Sequence, residues 1–306
     1  MAEQLVKLFS REIQKNLFPD NAFYKQSRVD GGIPIKAKTV EVPQSGSEPT
    51  ILTNPSTFPL TITQRTDDTK TYTVDLLATQ PIHIEDENLM VINYDKRQDI
   101  LSDHVLALNT SIADRLAYSW APDGSNAAKV LKTTGGSRPS SRAGGDPKKA
   151  VKYDDIVALG AAMDEEDVPA DGRYLLADAQ MYSDLLKIKE FISFDFKDKA
   201  VSSGAIGTIL GFTVYKRSRA VFYDDAFDVK AYDDAAAATD RGAILCWHRS
   251  FVRRAEGNAK VYADSDKPEY LGSIYNAAVR TGGMIGRTDE KGVFVLVQDT
   301  FVPLIP

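Results

Sequence analysis

The stretch Leu60-Thr61-Ile62-Thr63-Gln64-Arg65, followed by Thr66-Asp67-Asp68-Thr69-Lys70 and Thr71-Tyr72-Thr73-Val74-Asp75-Leu76, decides how the chain is read. Threonine and β-branched residues alternate at period two on either side of a polar tip, which predicts two antiparallel strands joined by a turn. Val40 and Val42 start the alternation and the Gly-, Ser- and Pro-rich run from Pro43 to Pro59 interrupts it, so the hairpin arm spans Thr39 to Ile84. Both faces of such an arm are polar. A ribbon that buries no apolar face is at best marginally stable in water, so it is expected to lie on something else.

Ahead of the arm, Leu5, Leu8, Phe9, Ile13 and Leu17 recur at three- and four-residue steps, predicting a short amphipathic helix over 1–18 that Pro19-Asp20 ends. Residues 21–35 hold Gly31-Gly32 and Pro34 without a sustained period and read as an extended segment. Behind the arm, Leu101, Val105, Leu108, Ile112, Leu116 and Trp120 share one stripe, predicting a helix over 96–120. At 1.5 Å per residue it is a rod of roughly 36 Å. The stripe is a core contact rather than a cofactor site.

Composition then breaks. Residues 132–149 are almost free of apolar side chains, and Lys129, Lys132, Arg138, Arg142, Lys148, Lys149 and Lys152 make this the most basic part of the chain, with Asp146 the one acid between 132 and 149. The expectation is a mobile, solvated linker between two lobes. Contact with nucleic acid is the competing reading, although no aromatic residue is interleaved for stacking before Tyr153. Beyond it, periodicity predicts a helix over Tyr153 to Met163, a buried strand at Arg173 to Ala177, a helix from Ala179 to Leu186, and strands over 243–254, 259–263, 273–285 and 293–300, divided by Gly257, Pro268, Gly282-Gly283 and Lys291-Gly292.

The 306 residues, 43% hydrophobic and 26% charged, suffice for two lobes with cores. A net charge of -6 argues against tight binding of free DNA, which Lys and Arg drive by displacing counterions. No apolar run approaches the roughly 20 residues that cross a bilayer, and Met1 to Ser10 carries Glu3 and Lys7 where a signal peptide is apolar, so no membrane role is expected. Cys246, the single cysteine, sits in the apolar run Ala243 to Trp247 and reads as a small buried hydrophobe. His83, His104 and His248 stand apart, none with a second ligand at metal-site spacing. The acids Asp164 to Asp167 and Asp224, Asp225, Asp228, Asp233 and Asp234 lack the alternating ligands and glycine of a calcium loop. Gly204, Gly207 and Gly211 do not follow the dinucleotide spacing and precede a strand. No nucleophile elbow, phosphate loop or metal cluster occurs, so no catalytic, cofactor-binding or metal residue is expected and the chain is read as a non-enzyme.

Ile206-Gly207-Thr208-Ile209-Leu210-Gly211-Phe212-Thr213-Val214, with Ser218 after it, resembles the G-x-I-x-G-F-x-V run of the major capsid proteins of tailed bacteriophages. Tyr174-Leu175-Leu176 with Met181-Tyr182 and Leu185-Leu186 is similar to that family's strand-then-helix lead-in, Ala243 to Val252 to its return segment, and Tyr275 to Val297, including Gly286-Arg287, to its closing strands. The resemblance covers essentially the whole chain. It implies the α+β Hong Kong 97 coat fold, with an N-terminal arm at 1–35, the hairpin called the E-loop at 36–84, a peripheral domain with its spine helix and the basic loop at 85–149, an axial domain at 150–240 and a peripheral return at 241–306.

It further implies a structural subunit that self-assembles into hexamers and pentamers of an icosahedral shell around double-stranded DNA, in the virion and, during assembly, in the host cytoplasm. A portal and a separate scaffolding protein are the other expected partners, because the arm begins at Met1 and no scaffolding segment precedes it. In some family members an E-loop lysine is joined to a neighbour's asparagine; Lys70 at the hairpin tip and Asn276 near the closing strands are the candidates here, neither lies in such a motif, and no cross-link is expected. The rival readings are an encapsulin shell enclosing a cargo enzyme, a tail-tube or adaptor subunit, and a hydrolase assembled from His248 and the acids around Asp224.

Overall fold

The computed structural model describes residues 21–31, 38–46, 50–54, 56, 58–60, 62, 64–85, 95–188, 205–218, 220–257, 259–267 and 269–302. The amphipathic segment expected over 1–18 lies outside them. A 3₁₀ turn, Ala22–Lys25, buries Phe23 and Tyr24. In chain order follow β1 (Arg28–Asp30), β2 (Thr39–Gln44), β3 (Asp68–Thr73), β4 (Asp75–Ala78), β5 (Ile82–Glu85), helix α1 (Asp95–Ser119), β6 (Val130–Lys132), β7 (Ser137–Arg138) and β8 (Lys148–Lys149). Then come α2 (Tyr153–Glu165), β9 (Arg173–Asp178), α3 (Ala179–Leu185), β10 (Ala205–Ile209), β11 (Phe212–Arg217), β12 (Phe222–Tyr223), β13 (Arg241–His248), β14 (Val252–Glu256), β15 (Lys260–Lys267), β16 (Gly272–Ile285) and β17 (Val293–Val297).

Among the described residues two sheets organise the molecule. In the first, β16 is the axis: β14 and β15 pair along one edge of it, β4 and β5 along the other, and β1 adds in parallel to β14. The second has the order β10-β11-β9-β13-β17-β6, with β12 on the first residues of β13. Every residue of β13 is buried, as its unbroken apolar run requires, because both faces of the sheet are covered. Ala243, Leu245 and Trp247 point into a core shared with α1, whereas Ile244 and Cys246 point into the core beneath α2 and α3. The same alternation along β17 sends Val293, Val295 and Val297 one way and Phe294 and Leu296 the other. The expected domain boundary at 240/241 falls at the start of β13, so β13 and β17 of the return segment share a sheet with β9, β10 and β11 of residues 150–240, whereas β14, β15 and β16 belong to the other sheet.

The long helix forms as its stripe predicts. Val105, Leu108, Ile112, Leu116 and Trp120 are buried, and Trp120 Nε1 donates to Arg253 O at 3.0 Å. Two expectations about glycine change. Gly282-Gly283 does not divide two strands but lies inside β16, where a Cβ on Gly283 would come 2.7 Å from Leu116 Cδ2 and one on Gly282 would come 2.5 Å from Thr73 O. Glycine in a strand interior here marks close approach on both faces, by helix α1 and by the hairpin backbone. The run 206–214 is not a turn followed by one strand but a hairpin, β10 and β11, whose two-residue turn holds Leu210 at φ 49° and Gly211 at φ 84°. Positive φ at both positions is what a twisted two-residue hairpin demands.

The expected single strand over 243–254 is two strands in different sheets, β13 and β14, separated by a turn in which Phe251 N donates to His248 O. The arm at 39–84 also pairs differently from the sequence pattern. Its stem joins β3 to β2, with Val40 opposite Tyr72 and Val42 opposite Lys70, and residues 60–65 are not its second strand. The stem is not polar on both faces either: Val42, Tyr72 and Val74 are buried against Ala255 and Met284. That apolar seat on the first sheet selects Thr39–Gln44 as the partner, since it offers Val40 and Val42 to the same side as Tyr72.

Candidate functional site

The surfaces with functional potential are the hairpin arm, the outer face of α1, the basic segment and the isolated histidines. The stem of the arm is moored on its own subunit by polar contacts as well as by packing. Gln44 Nε2 donates to Gly286 O and Thr288 N to Gln44 Oε1, while Lys70 Nζ donates to Ile285 O at 3.1 Å and to Arg287 O at 3.0 Å. Tyr72 donates to Asp30, which also pairs with Arg253 at 2.7 Å. Burial and the hydrogen bond to Asp30 raise the Tyr72 phenol far above its usual value.

Beyond the stem the arm changes character. Ile51 is 89% exposed and Ile62 96% exposed, and Leu52, Phe58 and Leu60 are exposed with them. Exposed apolar side chains within one short stretch of chain cost solubility unless a partner covers them. Sequence reading took 43–59 as turn chemistry because Gly, Ser and Pro dominate it. The pair Ile51-Leu52 and Phe58 within that run were the available signal.

The basic segment is corrected by its geometry. It is no free linker: β7 and β8 pair with each other, Gly135 N donates to Ala150 O, and Lys149 N donates to Asp299 O. Lys129 pairs with Glu166, Arg138 with Asp184, Arg142 with Asp240 at 3.4 Å and Lys149 with Asp299 at 2.6 Å. Lys132 Nζ sits 3.8 Å from the centre of the Phe227 ring. Lys148 is buried, and desolvation lowers its pKa, helped by the nearby charge of Arg241. Acids from four other stretches of chain thus neutralise charge that the one-dimensional reading left free for phosphate.

His248 and the acids around Asp224 are not brought together. Tyr223 pairs with Arg241 at one end of β13 and His248 closes the other, which at about 3.3 Å per residue separates them by about 23 Å. The His248 ring is held between Asp171 O, 2.8 Å from Nε2, and Ser250 N, which donates to Nδ1. Burial lowers its pKa, so the neutral ring is favoured. Asp225 pairs with Arg241 and Asp224 accepts from the backbone of Asp228. His83 lies against Tyr270, and His104 is buried on α1 with Nε2 unpartnered. Cys246 is fully buried and its thiol pKa is pushed up by desolvation. Among the described residues no three His, Cys, Asp or Glu side chains converge as a metal site would require. No helix among them is long and apolar enough to cross a membrane.

Lys70 and Asn276 are both engaged within the subunit. Lys70 is a stem residue rather than the tip, bound to the carbonyl of Ile285, nine residues along β16 from Asn276 and so about 30 Å away. Asn276 Oδ1 accepts from Thr79 Oγ1 at 3.0 Å.

The combination of a sheet built on one long strand, a rod helix lying on it, a second two-faced sheet and a hairpin with exposed apolar side chains beyond its stem defines a class. The chain is similar in structure to the capsid of the cyanophage P-SCSP1u, with a TM-score of 0.61 and 19% identity over 90% of this chain and 86% of that one. The mature capsid of bacteriophage PhiM1 gives a TM-score of 0.61 at 12% identity, over 92% of this chain and 87% of that one. The capsid of a native GTA particle gives 0.60 at 12% identity, over 92% and 91%. The fold is therefore the α+β, Hong Kong 97-type architecture of phage major capsid proteins. No curated protein matches the sequence. The model of the phage capsid protein family matches residues 63–297, and the chain belongs to that family, as a structural major capsid protein.

Proposed function

We propose that copies of this chain assemble into hexamers and pentamers, and these into a closed icosahedral shell enclosing double-stranded DNA in a virion. The observation that carries the reading is the exposed apolar end of the hairpin arm, with Ile51, Leu52, Phe58, Leu60 and Ile62 open on a loop whose stem is fixed to its own sheet. This arm corresponds to the E-loop. Anchored at one end and uncovered at the other, it is suited to overlapping a neighbouring subunit, so that shell strength sums many modest interfaces. Residues 85–149 and 241–306 would supply the peripheral domain and 150–240 the axial one, sharing the sheet that β13 crosses.

The work is binding, not catalysis. With Arg138, Arg142 and Lys149 of the basic segment paired inside the subunit, the acidic chain would enclose DNA without gripping it or reading its sequence. A portal and a separate scaffolding protein complete the proposed partners, and assembly takes place in the host cytoplasm. Negative-stain electron microscopy of the protein, expressed with and without its neighbouring genes, tests this. Closed shells or isolated hexamers and pentamers are expected. Tubes, or a monomer at high concentration even beside scaffolding candidates, would overturn it, and shells holding a cargo protein in place of DNA would make it an encapsulin.

A further inference from the structure

Two open clefts merge along the outer side of α1. One, of about 820 Å³, lies between the β4–β5 stretch and the helix, and the other, of about 630 Å³, shares Asp103, Ala107, Ser111 and Tyr232 with it. They form one trough. Its apolar surface includes Leu76, Ile82 and Leu106, the last 56% exposed on a helix whose opposite face is buried. Its rim is acidic, with Asp103, Asp233 and Asp234 all exposed.

The chain enters the described fold beside one end of this trough. The Phe23 ring lies 6.3 Å from Trp120 and 5.7 Å from the guanidinium of Arg217. The same Arg217 donates to Asp114 at 2.5 Å and to Thr110 O at 3.2 Å, both lining the trough, so a single side chain links Phe23 to it. The twenty residues before it include the amphipathic pattern over 1–18. Helical geometry puts Leu5 and Leu17 about 18 Å apart, against about 16 Å from Asp103 to Asp114 along α1. Lys7, Arg11 and Lys15, at four-residue steps, form a basic stripe beside the apolar one.

We propose that residues 1–18 lie as a helix in the trough of their own subunit, parallel to α1, with Leu5, Leu8, Phe9 and Ile13 on Leu76, Ile82 and Leu106. The basic stripe faces Asp103, Asp233 and Asp234. Length, position of the anchor, apolar match and charge sign all select this occupant. The segment thereby covers the one large apolar side chain that α1 turns to solvent among its described residues.

The proposal does not depend on shell assembly, and its test is separate. In a Leu8→Cys, Leu106→Cys chain, mild oxidation is expected to form an internal disulfide, seen as a faster band on a non-reducing gel and as a cross-linked peptide by mass spectrometry. Cys246 is buried and does not compete. A Leu8→Cys, Val157→Cys chain, with its second thiol exposed on α2, is expected to form none. Adding Asp103→Lys should slow the Leu8–Leu106 link about threefold, the size of one exposed ion pair, and Lys7→Glu in the same chain should restore the rate. No internal link in a variant that melts like the parent overturns the proposal. Disulfide-linked dimers overturn it too, placing the segment on a second copy. Particles seen by electron microscopy with the same variants report on the shell reading independently of either result.

Discussion

Arg138 and Asp184 form an ion pair in which the guanidinium side chain is 12% exposed and the carboxylate 2% exposed. The pair fastens the hairpin of β7 and β8 to the end of α3, with Asp184 also accepting from Val151 N and from Lys187 Nζ. Removing one partner of so buried a pair leaves the other uncompensated, which typically costs about 3–5 kcal/mol. Asp184→Ala is therefore expected to lower the unfolding free energy from urea titration by an amount in that range and to open 137–149 to proteolysis. A loss under about 1 kcal/mol would mean that the segment is held by its backbone pairing alone.

Gly283 and Gly282 set how closely the long helix and the hairpin stem approach β16. Gly283→Ala puts a methyl against Leu116, Ser119 and Trp120, side chains with some freedom, and the expected cost is about 1–3 kcal/mol, as for other overpacked sites. Gly282→Ala meets the Thr73 and Val74 backbone, which can move only if the hairpin moves. Its expected signature is a shifted arm: faster hydrogen exchange at 68–74 and loss of assembled particles at a modest change in melting temperature. Equal exchange in the two variants would contradict this division of labour.

What the sequence disclosed and what it hid follow from the range of the interactions. Period-3.6 patterning placed α1 correctly, because Leu108, Ile112 and Leu116 obey a local rule, and the run Arg173 to Ala177 announced the buried strand β9. The hairpin register was hidden. Leu60 to Arg65 alternates as well as Thr39 to Gln44 does, and only the seat for Val42 and Tyr72 on Ala255 and Met284, over a hundred residues away, decides between them. The basic segment failed for the same reason, since Glu166, Asp184, Asp240 and Asp299 come from remote stretches. The glycine pair was visible, but its meaning required knowing what lies on each side of it.

The buried histidines give the subunit an acid sensitivity of definite sign. Desolvation lowers the pKa of His104, opposed by the charge of Asp103, and desolvation lowers that of His248 as well. Between the folded pKa and the unfolded value near 6.5, the unfolded chain binds more protons, so stability is full above that value and is lost as pH falls through the folded pKa. Asp178 behaves oppositely: burial raises its pKa, and its contribution falls as pH rises through that raised value. A His104→Leu subunit is expected to gain melting temperature relative to the parent on going from pH 7.5 to 5.5. It also removes an unpartnered buried nitrogen, so a small gain at pH 7.5 is consistent. A parent-like slope would place the acid sensitivity at His248.

Lys70 supplies the last expectation, because its ammonium is occupied. It holds the carbonyls of Ile285 and Arg287, and desolvation lowers its pKa against the opposing charges of Glu290 and Asp289. Bonding an amine to a neighbour's carboxamide would require it to leave both carbonyls and to present a lone pair, and Asn276 would have to release Thr79. Assembled particles boiled in detergent are accordingly expected to run as a single monomer band, with no ladder. Lys70→Met should leave that band unchanged while weakening the mooring of the arm by about 1 kcal/mol, the ordinary worth of a half-exposed hydrogen bond, and speeding exchange at 285–287. A ladder that vanishes in the Lys70→Met particles would instead mean that assembly pulls this lysine off its own subunit and turns a mooring contact into a covalent one.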